Sequence, residues 1–305
     1  MTTSIPWPPR PLDGHKGTFG TVLVVGGSLG QRGMLGGPTF SALGALRAGC
    51  GLCELAMPAP LLVAGLSLAP SATGVALPVD GRGTIDAAAA IDALRAALDR
   101  ATVLAIGPGL GEDHGVEDFV QALLAAAVSR GLPVVLDADG LNAYARFGRG
   151  EAFATPTIAT PHPGEFRRLA ESCGLGELDP VDPARRPESA RVLAARLRAI
   201  VILKGQGTCV AMGDRVEVER CGNPALATGG SGDVLTGVVA SLWAQWIASK
   251  GPAPITELGF EAARAAVQLH GHAADRWARE HGDAGMLASD LLAAIPDARR
   301  ALSAS

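Results

Sequence analysis

The sequence predicts an α/β fold, a mostly parallel central sheet with helices on both faces, in one domain spanning 1–305. Three observations carry this. Short β-branched runs alternate with helical stretches over about two hundred residues. The runs are apolar throughout rather than alternating, as in strands buried on both faces. Each run is followed by a glycine-rich or polar segment, and such sheets gather their ligands outside the carboxyl ends of their strands.

The elements follow in order. Residues 21–25 (TVLVV) form a buried strand, and residues 26–37, with six glycines in twelve positions, form a loop. Residues 39–48 have helical periodicity ending near Gly49, and 52–57 form a second strand. Residues 84–100 are alanine-rich with charges at intervals, a surface helix. Strand 102–106 breaks at Gly107-Pro108-Gly109, then helix 116–130, strand 133–137 and helix 138–147 continue the alternation. Strand 157–160, helices 164–173 and 183–199, and strand 199–203 come next. Residues 208–212 and 215–218 flank Gly213-Asp214 as a hairpin. Helices at 232–248, 256–281 and 288–294 close the chain. Residues 174–187 and 251–254 read as surface loops, and 1–14 as an irregular arm.

Composition narrows the function. The formal net charge is −4 and aromatic residues make up 4%. With no basic run and few stacking platforms, nucleic acid is not an expected partner. No apolar run reaches the ~18 residues that a spanning helix needs, so no membrane partner is expected. Residues 1–11 lack the apolar core of a leader, so the expected location is cytoplasmic. The five cysteines include one CxxC, Cys50 and Cys53. Zinc would need a second pair, so these read as small apolar residues between a helix and a strand.

The stretch from Asn223 to Asp233 (NPALATGGSGD) is the most informative. Gly229, Gly230 and Gly232 permit close backbone approach, and the run after them starts a helix whose free N–H groups favour phosphate. Asp233, in the first turn, could take a proton from a hydroxyl attacking a phosphoryl group. The plainer alternative is a helix cap beside a tight turn. Lys204-Gly-Gln-Gly-Thr208 follows a buried strand. There, one of only three lysines in the chain suits a nucleotide phosphate. The alternative is a hairpin entry. Thr160-Pro-His-Pro-Gly-Glu165 holds His162 in a rigid frame. Asp137-Ala-Asp139-Gly-Leu-Asn142 could hold Mg²⁺ through water or cap the next helix. Gly26-Gly-Ser-Leu-Gly30 matches the GxSxG of serine hydrolases, with Ser28 as nucleophile. Only one short strand precedes it and more glycines follow, which disfavours an elbow. His270 and His272 lie on different faces of one helix and read as structural.

Taken together, these segments resemble the NAD(P)H-hydrate dehydratase family of the ribokinase-like superfamily. The resemblance rests on HKGTFG at 15–20, the strand and Gly-Ser loop at 22–30, ALRAG at 45–49, GPGLG at 107–111, LDAD at 136–139, TPHPGE at 160–165, LKG at 203–205 and ATGGSGDVLTG at 227–237. It implies a ribokinase-like three-layer fold and a lyase. ADP or ATP, with Mg²⁺, would phosphorylate the added hydroxyl of the hydrated cofactors NADHX and NADPHX. Loss of phosphate would then restore NADH or NADPH, a metabolite repair. By the same resemblance Asp233 is the general base and Gly230 and Gly232 cradle the phosphoryl group. Lys204, Gly205, Gln206, Gly207, Thr208 and Gly232 bind the nucleotide, while Gly37, Gly109, His162 and Asp233 contact the hydrate. Relatives usually carry alanine where Gly37 stands. No protein side-chain cage for a metal is assigned. The family implies a homo-oligomer, a tetramer, and an epimerase partner domain for which the residues before 15 leave no room. The alternatives are a small-molecule kinase of the same fold, acting on a thiazole or pyrimidine alcohol, and a nucleotide-sensing module without turnover.

Overall fold

The computed structural model describes residues 7–29, 33–113, 115–249 and 253–303. The start of the irregular arm, part of the 26–37 loop, and Lys250 with the first half of the 251–254 loop lie outside the described residues.

The first half comprises β1 (Thr21–Val25), α1 (Gly36–Ala48), β2 (Leu52–Pro58), α2 (Ala59–Leu68), β3 (Thr73–Leu77), α3 (Ala87–Arg100), β4 (Val103–Ile106), α4 (Val116–Val128) and β5 (Val134–Leu136). The second half comprises α5 (Ala138–Phe147), β6 (Thr157–Ala159), α6 (Pro163–Ser172), α7 (Arg186–Leu197), β7 (Ile200–Leu203), β8 (Thr208–Met212), β9 (Arg215–Glu219), α8 (Ser231–Ala248), α9 (Ile255–His281) and α10 (Ala288–Ser303). The strands form one nine-stranded sheet in the order β3-β2-β1-β4-β5-β6-β7-β8-β9. Pairings from β3 to β7 are parallel, and β8 and β9 are antiparallel.

Period-two alternation splits each strand between two cores. In β1, Val22 and Val24 pack with α1, α8, α9 and α10, whereas Leu23 and Val25 pack with α3 to α7. All five β1 residues are buried, which accounts for the uninterrupted apolar run. A buried glycine fits this sheet to its loops. A Cβ on Gly107, at φ 125°, would stand 1.8 Å from the Asp137 carbonyl oxygen, so the chain can turn there only as glycine.

Several expectations are corrected at the ends of elements. α1 starts at Gly36 rather than 39, which moves Gly37 from the loop into the first helical turn. α3 starts at Ala87, because Asp86 caps it by accepting from the Ala89 N–H at 3.0 Å. α7 starts at Arg186 rather than 183. α10 runs through Pro296 to Ser303 instead of stopping at 294, held down by the buried Leu291, Leu292, Ile295 and Ala298. α2 and β3 are present in addition to the expected elements. Cys50 and Cys53 are buried free thiols, and burial pushes Cys50 up to about 12.

Candidate active site

Five loops leave the carboxyl ends of β1, β4, β5, β6 and β7 on the same side of the sheet, since these strands are mutually parallel. α8 packs on β1, β4 and β5, and its first turns meet these loops through Gly232 beside Lys204, Asp233 beside Gly37 and Thr236 on Asp137. Gly230 is its N-cap, in the left-handed region at φ 89°, and no side chain caps the helix. A Cβ on Gly230 would press on Phe40 at 2.8 Å and Ala288 at 2.9 Å. His270, buried on α9, holds its ring nitrogen 2.9 Å from the Ser231 carbonyl oxygen and thereby steadies this turn. Burial pushes His270 down to about 4, so it stays neutral.

Asp233 sits half-buried in the first turn of α8. Its Oδ1 lies 3.2 Å from where a Gly37 Cβ would stand, and the Pro108 carbonyl carbon is 3.3 Å from the same point. An alanine at this position would therefore put its methyl against this carboxylate. Burial, and then the nearby Asp137 charge, push Asp233 up to about 6, against the opposing pull of Lys204. Gly109, at φ 69°, packs against Met34 and Pro38 and so lies on the same wall.

Lys204 is turned inward. Its Nζ donates to Asp137 Oδ1 at 2.7 Å and stands 3.8 Å from Glu165 Oε2. It is also 3.4 Å from the Cβ position of Gly232, which places the ammonium beneath the α8 turn. Burial pulls the lysine pKa down, but the Asp137 and Glu165 carboxylates outweigh it and hold it above its ordinary value. The Asp137 carboxyl, raised by burial, is brought below its ordinary range by Lys204 and by the hydroxyls of Thr236 and Thr160. Thr236, one turn into α8, donates to Asp137 Oδ2 at 2.6 Å. Asp137 thus ties β5, β7 and α8 together instead of capping α5, to which its side chain makes no hydrogen bond. Neither Thr236 nor this use of Asp137 was found by sequence reasoning.

The remaining predicted residues are placed as follows. Residues 205–208 form the turn between β7 and β8, closed by the Thr208 hydroxyl donating to the Gly205 carbonyl at 2.9 Å. Gly205 and Gln206 are exposed, and Gly207 and Thr208 are half-buried. The buried Arg186 braces this turn by donating to the carbonyls of Leu203 (3.0 Å) and Lys204 (3.2 Å), a support that its place at a helix start did not reveal. His162 caps α6: its Nδ1 accepts from the Gly164 N–H at 2.9 Å, while its own N–H donates to Glu165 Oε2 at 2.7 Å. Burial and the Lys204 charge lower its pKa, which favours a neutral ring. Glu165 is pushed up to about 7 by burial. Asp139 accepts from the Gly111 N–H at 2.8 Å and so fixes the loop after β4.

The fold is ribokinase-like. It matches the ADP/ATP-dependent NAD(P)H-hydrate dehydratase of Bacillus subtilis, co-crystallised with ATP and Mg²⁺, with a TM-score of 0.73, 30% identity, and coverage of 97% of this chain and 94% of that one. The chain belongs to the NAD(P)H-hydrate dehydratase family, whose sequence profile matches residues 22–297. It is 36% identical over 287 residues to the ADP-dependent (S)-NAD(P)H-hydrate dehydratase of Neisseria meningitidis, covering 92% of this chain and 86% of that protein. It is 40% identical over 296 residues to a bifunctional NAD(P)H-hydrate repair enzyme of Moorella thermoacetica, covering 95% of this chain and 51% of that protein. The chain spans about half the length of that bifunctional relative.

Proposed function

We propose that this protein uses ADP or ATP to dehydrate (6S)-NADHX and (6S)-NADPHX to NADH and NADPH. The observation that carries the reading is the Asp233 carboxylate, half-buried at the uncapped N-terminus of α8 and facing Gly37 and the 107–111 loop. A phosphoryl group at the α8 N-terminus would meet main-chain N–H donors and the positive end of the helix dipole. The substrate hydroxyl would attack phosphorus and give its proton to Asp233. The nucleoside diphosphate or monophosphate departs; inorganic phosphate would then leave the ring carbon, pushed out by the ring nitrogen's lone pair, and the neighbouring ring carbon would give up a proton to solvent as the double bond re-forms. Gly230 and Gly232 would let the backbone wrap the phosphoryl group, and the 204–208 turn would hold the nucleotide. Gly37, Gly109 and His162 would line the hydrate's side.

Magnesium would arrive with the nucleotide. Among the described residues no three His, Cys, Asp or Glu side chains converge as a cage, and both Asp137 oxygens are engaged by Lys204 and Thr236. Mg²⁺ needs only one or two carboxylates beside phosphates and water. We further propose a homo-oligomer, a tetramer, working in the cytoplasm. No described helix is long and apolar enough to cross a membrane.

The same-fold kinase would use Asp233 in the same way but release a phosphorylated alcohol, and the family match favours dehydration. Incubation of the protein with hydrated NADH, Mg²⁺ and ADP or ATP should restore dihydropyridine absorbance and release inorganic phosphate. A stable phosphorylated product would mean the kinase instead.

The reaction should also depend on pH. The base must be ionised, and Asp233 is raised to about 6. As pH falls below that value, kcat/KM should decline by about tenfold per unit. A profile flat down to the ordinary aspartate range would remove Asp233 from this role.

A further inference from the structure

Arg168 is exposed on α6, yet its guanidinium is tethered. Its Nε donates to the Asn142 side-chain oxygen at 3.0 Å and its Nη1 to the Gly164 carbonyl at 3.4 Å. Both acceptors are uncharged. Among the described residues no carboxylate stands within ion-pair distance of Arg168, whereas Arg146, Arg185 and Arg191 each have one. A held, solvent-facing cation without a counter-charge can take an anion, and the arginine fork suits phosphate oxygens.

Its place is set from two sides. On α5, Asn142 is 7% exposed and follows Asp139 by three residues, so the two share a helix face. Asp139 accepts from the Gly111 N–H, so this face adjoins the 107–111 loop that carries Gly109. On α6, a Cβ on Gly164 would stand 2.8 Å from the His162 ring and 3.7 Å from Arg168 Nη1. The His162 ring lies 3.3 Å from Glu165 Oε1, and Glu165 Oε2 faces Lys204. Burial, then the Lys204 charge, then the Arg168 charge lower the His162 pKa. The guanidinium therefore stands on the open rim between the segments that carry Gly109 and His162. The sheet runs β4-β5-β6-β7, so its bond to α5 turns Arg168 toward β4 and away from the 204–208 turn. It belongs to the hydrate's side, not to the nucleotide's.

We infer that Arg168 binds a phosphate group of the hydrated dinucleotide, either its bridging diphosphate or the 2′-phosphate of NADPHX. The inference rests on the dehydratase reading. Arg168→Gln removes the charge but keeps a donor for Asn142. It should raise the hydrate KM by about tenfold, the loss of one charge-assisted hydrogen bond. The nucleotide KM and kcat should stay within about twofold, as for a contact equal in ground and transition states. Arg168→Lys keeps the charge without the fork, should give an intermediate KM, and serves as the test if the glutamine variant folds poorly. A rise for NADHX and NADPHX alike assigns the contact to the diphosphate, and a rise confined to NADPHX assigns it to the 2′-phosphate. An unchanged KM for both hydrates, or a rise in nucleotide KM instead, overturns the inference while leaving the reaction standing. So does a fall in kcat and melting temperature without a KM change, which would make Arg168 only a tie between α5 and α6. A wild-type protein that restores no dihydropyridine absorbance overturns both.

Discussion

Asp233→Asn should lower kcat by about 10² to 10⁴-fold, the range for loss of a positioned general base, with nucleotide affinity within a few-fold of wild type. Asparagine keeps the shape and can still face Gly37 and Pro108, but it cannot accept the substrate proton. The same substitution should stabilise the ligand-free protein at neutral pH. Burial and the Asp137 charge raise the Asp233 carboxyl from an ordinary 3.8 to about 6. A folded-state pKa above the unfolded one means that folding favours the protonated acid. The group's contribution is most favourable below the unfolded value and is lost as pH rises through about 6. At pH 7 the ionised acid therefore destabilises the fold, and an uncharged side chain relieves this. Single-turnover kinetics, equilibrium nucleotide binding and thermal melting at pH 7 would check all three points. Near-normal turnover would end the general-base assignment, and a drop in melting temperature would contradict the electrostatic account.

Lys204→Ala should cost about 3–5 kcal/mol of stability, as expected when one partner of a buried ion pair is removed. Its ammonium lies 2.7 Å from Asp137 Oδ1, and the two side chains are 18% and 2% exposed. The alanine variant would leave the Asp137 carboxylate buried with Thr236 and Thr160 but no cation. The double variant Asp137→Asn with Lys204→Met should recover most of the lost stability. Nucleotide KM should stay raised in both proteins, because the ammonium beneath Gly232 would be missing from the phosphate site. Denaturant melts of the single and double variants separate the two effects. An unchanged melt for Lys204→Ala would show that the pair does not hold the fold, and an unchanged nucleotide KM in the double variant would remove Lys204 from the phosphate site.

The strands were legible because they are buried on both faces. The TVLVV run predicts β1 with its observed ends, and helix 138–147 was likewise read with its observed ends. The pair α2 and β3 was not legible. In α2 (APLLVAGLSL) only Gly65 is buried, so apolar residues carry no period to read, and β3 is a glycine-containing edge strand mostly open to solvent. The last helix was expected over 288–294, yet packing of its apolar residues carries α10 through Pro296 to Ser303.

At the site, the chain alone determined the fold class, the placement of glycine-rich loops after strands, and the candidacy of Asp233. These follow from local rules: period, β-branching, and the backbone freedom of glycine. Only the tertiary structure decided what Asp137 and Lys204 do. Their partners lie 67 and 99 residues apart along the chain, Lys204 to Asp137 and Thr236 to Asp137. A buried charge takes whichever counter-charge the fold brings within reach. Which residues those are depends on strand order and helix packing, and no local pattern encodes that.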